Sequence, residues 1–289
     1  MYPICFDESI VYTEINMMHT SRSIEILTKL KVAILTSIVL LFLTQVGVKA
    51  EPKTYYGVNY YSYTERTDEQ DPFMELKTNI PTVIFGLRDE TAIRSNNSSD
   101  KFSYMVEGTL GNVTYTQYTG TGSHTHNYWT IQTEGLYALP SSFYAGVGYR
   151  YLKDYLSAGG YGGYDRQNML LYIPAGYARN NFKLQYNFLL EGTQFSELSQ
   201  IPGYGDLTNE QNDGFGLELS YTFLESGSDG GSNGEWEIFT KYWNIEDSTT
   251  NSSTGSKWII TGMEPLNETF EIGFKRFFNL SSLLSSLIP

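Results

Sequence analysis

Apolar and polar side chains alternate through Phe182-Lys183-Leu184-Gln185-Tyr186-Asn187-Phe188. Leu190 continues the apolar set and Glu191 the polar one, with Leu189 the exception. Successive side chains of a strand point to opposite faces, so the pattern predicts a strand with one greasy wall and one wet wall. The same period recurs from Lys53 to Phe278. It predicts about ten strands, at 53–65, 79–88, 101–117, 127–139, 142–153, 167–178, 181–194, 214–224, 235–246 and 268–278. No helical period intervenes, so the fold class is all-β and antiparallel, with each strand joined to the next up and down.

The connections carry a second pattern. Those after odd-numbered strands, at 66–78, 118–126, 154–166, 195–213 and 247–267, are long. Those after even-numbered strands include the turn-like Leu139-Pro140-Ser141-Ser142 and Arg179-Asn180-Asn181, and a flexible Gly/Ser stretch from Ser226 to Gly234. Residues 89–100 break the rule, being too long for a tidy turn. They leave eight strands, with the second segment outside, as the alternative count.

The first fifty residues follow different rules. An apolar run at 32–48 follows Lys29 and Lys31 and precedes Val48-Lys49-Ala50, with small residues at the positions a signal peptidase reads. At this length, and with Thr36, Ser37, Thr44 and Gln45 inside it, the run suits a cleavable export signal better than a membrane-spanning helix. Residues 1–50 are therefore expected to be an N-terminal extension plus signal, with the folded domain over 51–278 and a short tail at 279–289. Residues 1–16 are unlike a signal, and Met17 or Met18 is the expected start.

Cys5 is the only cysteine, so the domain has no disulfide and no thiolate chemistry. The net charge is −13. Arg22, Lys29, Lys31 and Lys49 balance Asp7, Glu8, Glu14 and Glu25, so the segment from Glu51 onward carries all of it. Such a chain is a poor match for nucleic acid, which needs a basic face. No stretch after Glu51 is long enough for a spanning helix. Membrane insertion of these strands requires closure into a barrel, the one sheet that satisfies its whole backbone in lipid.

A closed barrel fixes the faces. Outward positions include Val83, Phe85, Leu87, Trp129, Ile131, Tyr137, Phe143, Val147, Tyr149, Met169, Leu171, Ile173, Phe182 to Leu190 alternately, Phe215 to Phe223 alternately, Phe270, Ile272 and Phe274. Inward positions form a charge network of Glu107, Glu134, Arg150, Lys183, Glu191, Glu218, Glu237, Lys241, Glu271 and Lys275, with Gln132, Gln185 and several glycines. A basic residue facing lipid at mid-membrane costs ~2–4 kcal/mol, which sets the phase. Pro174 cannot donate to a ladder, so a bulge or strand end is expected there.

The last strand, Phe270-Glu271-Ile272-Gly273-Phe274-Lys275-Arg276-Phe277-Phe278, resembles the closing strand of small bacterial outer-membrane β-barrel proteins, whose aromatic residues (here Phe274 and Phe278) serve as an assembly signal. The chain departs from that pattern by continuing to Pro289. The resemblance spans most of residues 53–278 but is to a general class, and no family's functional residues carry over. It implies an integral protein of a Gram-negative outer membrane, a monomer, in contact with outer-membrane lipid and lipopolysaccharide and with the barrel-assembly machinery.

Candidate chemistry is sparse. Ser123-His124-Thr125-His126 places two imidazoles on one face of an extended segment. That spacing suits a metal such as zinc, although such sites take three or four ligands. As a general base beside Ser123, His124 or His126 would instead make a rim hydrolase, but no Gly-x-Ser-x-Gly elbow accompanies them. No cofactor is implied. The expectation is a barrel without catalysis, structural, adhesive or porin-like with a narrow path for small solutes or cations, its lumen lined by paired charges; a rim hydrolase is the alternative.

Overall fold

The computed structural model describes residues 52–66, 72–78, 81–95, 101–117, 123–159, 163–224 and 234–279. The expected export signal and the tail after Asn279 lie outside them. Among the described residues twelve strands join in one antiparallel sheet. They are β1 Lys53–Arg66, β2 Pro72–Lys77, β3 Thr82–Asp89, β4 Phe102–Gln117, β5 Ser123–Ala138, β6 Phe143–Asp154, β7 Arg166–Arg179, β8 Phe182–Ser196, β9 Leu207–Glu210, β10 Gly214–Leu224, β11 Glu235–Ile245 and, after the hairpin β12 Asn251–Thr254 and β13 Ile259–Gly262, β14 Leu266–Asn279. β1 pairs with β14 from Lys53↔Asn279 to Arg66↔Leu266 and β8 pairs with β10, so the sheet closes on itself.

Twelve strands fill ten barrel positions because two positions are interrupted. β2 pairs with the upper half of β1 and β3 with its lower half, while both pair with β4 on the other side. Pro81 has no N–H to offer the ladder at the break. Thr78 bridges it instead: its N–H donates to Tyr61 O at 3.0 Å, and its hydroxyl accepts from Tyr61 N–H at 3.0 Å. β9 and β10 likewise share the flank of β8, with Gly214 at φ 147° opening the lower half in a conformation that suits glycine. The second predicted strand thus belongs to the barrel, and the eight-strand alternative falls. Its upper half, β2, lies within what the sequence assigns to a connection.

Two local expectations are corrected. Tyr172 pairs with Leu189 and Leu171 with Glu191, so Leu190 is an extra residue and β8 carries a bulge there. Below it the buried positions are Lys183, Gln185 and Asn187; above it they are Gly192, Gln194 and Ser196. The bulge therefore turns Glu191 off the inner face and takes it out of the lumen network. Pro174 itself makes no bulge. It stays inside β7 opposite Asn187, and pairing toward β6 lapses between Ala145↔Ala175 and Gly148↔Tyr172.

The misfit connection after β3 has its own solution. A helical turn, α1 (Thr91–Arg94), buries Ala92 and Ile93 against the inward-facing Leu136, Ala138, Tyr144 and Ala178. It occupies the lumen end where the turns after β5 and β7 lie. At the other end, longer segments pack down: Leu156, Leu198 and Leu207 are buried, and Asp165 accepts from Ser157 N–H at 3.2 Å while its own N–H donates to Gln200.

Candidate functional site

The outer wall of the barrel is apolar and bare. Val58, Phe85, Leu110, Ile131, Val147, Phe188, Leu219, Ile272 and Phe274 are all exposed large hydrophobics, which a water-soluble sheet would cover. Along β5 the outward series runs Thr125, Asn127, Trp129, Ile131, Thr133, Gly135, Tyr137. Aromatic residues bound the belt, with Tyr60, Trp129, Tyr151, Tyr242 and Phe270 toward one rim and Tyr56, Tyr137, Phe143, Tyr177 and Trp236 toward the other. Eight residues separate Trp129 from Tyr137, which at ~3.3 Å per residue and a tilt of ~40° gives a belt roughly 20 Å tall. Polar Thr125, Asn127, Asn112 and Thr114 stand above it, so the long-connection end projects clear of lipid.

The inner wall is the reverse, and its charges meet. Glu107 receives Lys241 Nζ at 2.6 Å, Lys275 Nζ at 2.6 Å and the Tyr55 hydroxyl at 2.9 Å. Lys241 also donates to Gln132 Oε1 at 2.9 Å. Glu134 accepts from Tyr172, Gln185 and Gln132 at 2.8, 2.8 and 3.1 Å. Arg150 lies 3.3 Å from Glu271, which also accepts from Asn59. Lower down, Arg88 holds Glu237 at 2.6 Å and Lys183 stands 3.2 Å from both Glu90 and Glu218. Every one of these residues is buried, as paired charges must be to survive out of water.

Of the ten residues expected in this network, nine point inward and are buried; Glu191 is the exception explained above. Arg88, Glu90 and Arg94 belong with them too, through Glu237 and Lys183. Arg88 sits in phase on β3 and was legible there. Glu90 and Arg94 lie in a connection, where no period assigns a face. An interior cavity lined by Tyr63, Arg150, Leu170 and Trp243 measures about 10 Å³, room for about one water.

The outer end gathers a second cluster. Arg166 pairs with Asp154 at 3.0 Å and with Glu65, and lies 3.9 Å from Glu264. The Tyr63 hydroxyl donates to Glu65 at 2.7 Å. Burial and the neighbouring Glu65 hold the Glu264 carboxyl well above the ordinary carboxylate range, against the pull of Arg166. His126 is 2% exposed on the inner face of β5, with the half-buried His124 above it. Ser123 is exposed on the opposite face. Adjacent strand residues diverge, so Ser123 and these histidines do not form a nucleophile–base couple. Among the described residues no three His, Cys, Asp or Glu side chains converge as a ready metal cage. Phe274 and Phe278 of the closing strand stand on its lipid side and at its end.

A closed sheet with its apolar band outside and its charges inside spans a membrane as a barrel, and the protein is an integral β-barrel of the bacterial outer membrane. No protein-family model and no curated protein sequence matches the chain. Similar solved structures include the outer-membrane protease OmpT of Escherichia coli, at 12% identity, 81% of this chain, 99% of that one and a TM-score of 0.40. The translocator domain of the autotransporter NalP of Neisseria meningitidis is similar at 10% identity, 86% and 96% coverage and a TM-score of 0.37. An outer-membrane channel of Pseudomonas putida F1 follows at 10%, 79% and 96%, with a TM-score of 0.36. The expectation of a barrel without catalysis is corrected by this set: barrels that include a protease, a translocator and a channel give no ground for excluding activity.

Proposed function

We propose that the protein is a sealed outer-membrane anchor that displays its folded outer end at the cell surface, in an adhesive or recognition role, and does not pass solutes. The filled lumen carries this reading. Glu107, Lys241 and Lys275 cross-link β4, β11 and β14 at mid-barrel, and α1 closes the lower end. A ten-strand barrel has little free interior once such side chains are in place. In planar bilayers the purified barrel is expected to give no stepwise conductance above the bare membrane. Stable, reproducible steps from the native chain would sink the sealed-anchor reading in favour of a narrow channel.

A further inference from the structure

We propose that His124 and His126 form a chelate for one late transition-metal dication, zinc or copper in chemical type, at the outer mouth of the barrel. The two residues are two apart on β5 and face the same way. Their ring centres are 5.6 Å apart at an interplanar angle of 44°. With metal–nitrogen bonds of ~2.0–2.1 Å, each ring centre stands roughly 3.2 Å from a shared ion, and tetrahedral to trigonal angles then separate the rings by ~5.2–5.6 Å. The observed 5.6 Å lies at the upper edge of that range.

A second observation points the same way. His124 Nε2 and both nitrogens of His126 are buried and have no hydrogen-bond partner. A buried imidazole nitrogen left unpaired costs roughly 1–3 kcal/mol, so three together mark a place built for something else. Tyr115 packs against the His124 ring at 4.9 Å and holds it in place. Asp154 Oδ1, likewise buried and unpartnered, projects from β6 on the same inner face, one inward position further along the ladder, because Asp154 pairs with Tyr128. The Asp154 Oδ2 is held by Arg166 at 3.0 Å, which leaves Oδ1 as the unpartnered oxygen on that face.

The pair supplies two nitrogens only, so the ion keeps open positions that water or a carboxylate of an incoming ligand takes. Imidazole ligands select zinc, copper or nickel over magnesium and calcium, which prefer oxygen. Half-buried His124 lies at the rim, which gives the ion its entry path.

The test uses the full chain folded in detergent, with zinc alone titrated by calorimetry and copper(II) alone followed by electron paramagnetic resonance. Heat-modifiable migration checks that each variant is folded. The native chain is expected to bind one equivalent of zinc saturably. His124→Asn and His126→Asn are each expected to weaken binding at least tenfold. The copper spectrum should show two imidazole nitrogens in the native chain and one in each variant. Absence of saturable zinc binding, or equal affinity in the double variant, overturns the proposal. Should a variant fail to fold, the native copper spectrum still decides, since fewer than two imidazole nitrogens refutes the chelate.

Discussion

Glu107 accepts hydrogen bonds from three donors, Lys241, Lys275 and Tyr55, in the buried interior of the barrel. Truncating it leaves the buried Lys241 ammonium without its ion-pair partner and Lys275 with only the longer contact to Glu237 at 3.5 Å. Glu107→Ala is therefore expected to cost ~3–5 kcal/mol, the range for breaking a buried pair by removing one partner. Urea unfolding in vesicles measures this, and a loss under about 1 kcal/mol would contradict the network. Glu264 offers the opposite sign. Its folded carboxyl titrates above the ordinary value, because burial and Glu65 disfavour its charge. Its contribution to stability is therefore complete below about pH 4 and is lost as pH rises through the folded value. Glu264→Gln keeps the neutral form, so its outer end should resist hydrogen exchange better than the native chain at pH 8 and about equally at pH 4. Equal protection at both values would remove the assignment.

The bulge in β8 shows how one strand reconciles two phases. Leu190 is the extra residue, and its presence leaves Lys183, Gln185 and Asn187 below and Gly192, Gln194 and Ser196 above on a single inner wall. Deleting it makes the alternation regular without turning any neighbour over. Deleting Leu184, in the regular part of the same strand, reverses every side chain on one side of the cut. The Leu190 deletion is thus expected to fold into a heat-modifiable barrel, while the Leu184 deletion does not. Similar folding yields from both would show that β8 has no fixed register. The interrupted second position follows the same logic: Pro81 breaks the ladder, and Thr78 restores the contact with Tyr61 from both its backbone and its side chain.

At the scale of the molecule, the orientation follows from the connections. Short turns gather at the end closed by α1, and long segments at the end bearing His126, Arg166 and Glu264; in barrels of this type the long loops face outside. In intact cells a cysteine introduced as Thr125→Cys should react with an impermeant maleimide, while Leu139→Cys should react only after permeabilisation. The reverse labelling would invert the barrel. The apolar belt and the charged interior are one property viewed from two sides, since the side chains that alternate with the lipid-facing row have nowhere to go but inward.

Strand number, phase and most of the interior charges were set by the chain's own period-two pattern, because a strand's two faces are a local property and lipid on one of them admits no compromise. Glu107, Lys241 and Lys275 could be placed inside on that ground alone. Which of them touch could not, because ring closure and stagger bring together residues 134 positions apart, as with Lys241 and Glu107. Glu191 was misplaced because a bulge costs one residue and leaves no mark on composition. Glu90, Arg94 and Glu264 stayed illegible for a different reason: connections have no period, and only the folded barrel decides that one of them plugs the lumen and another brings its carboxyl to Arg166.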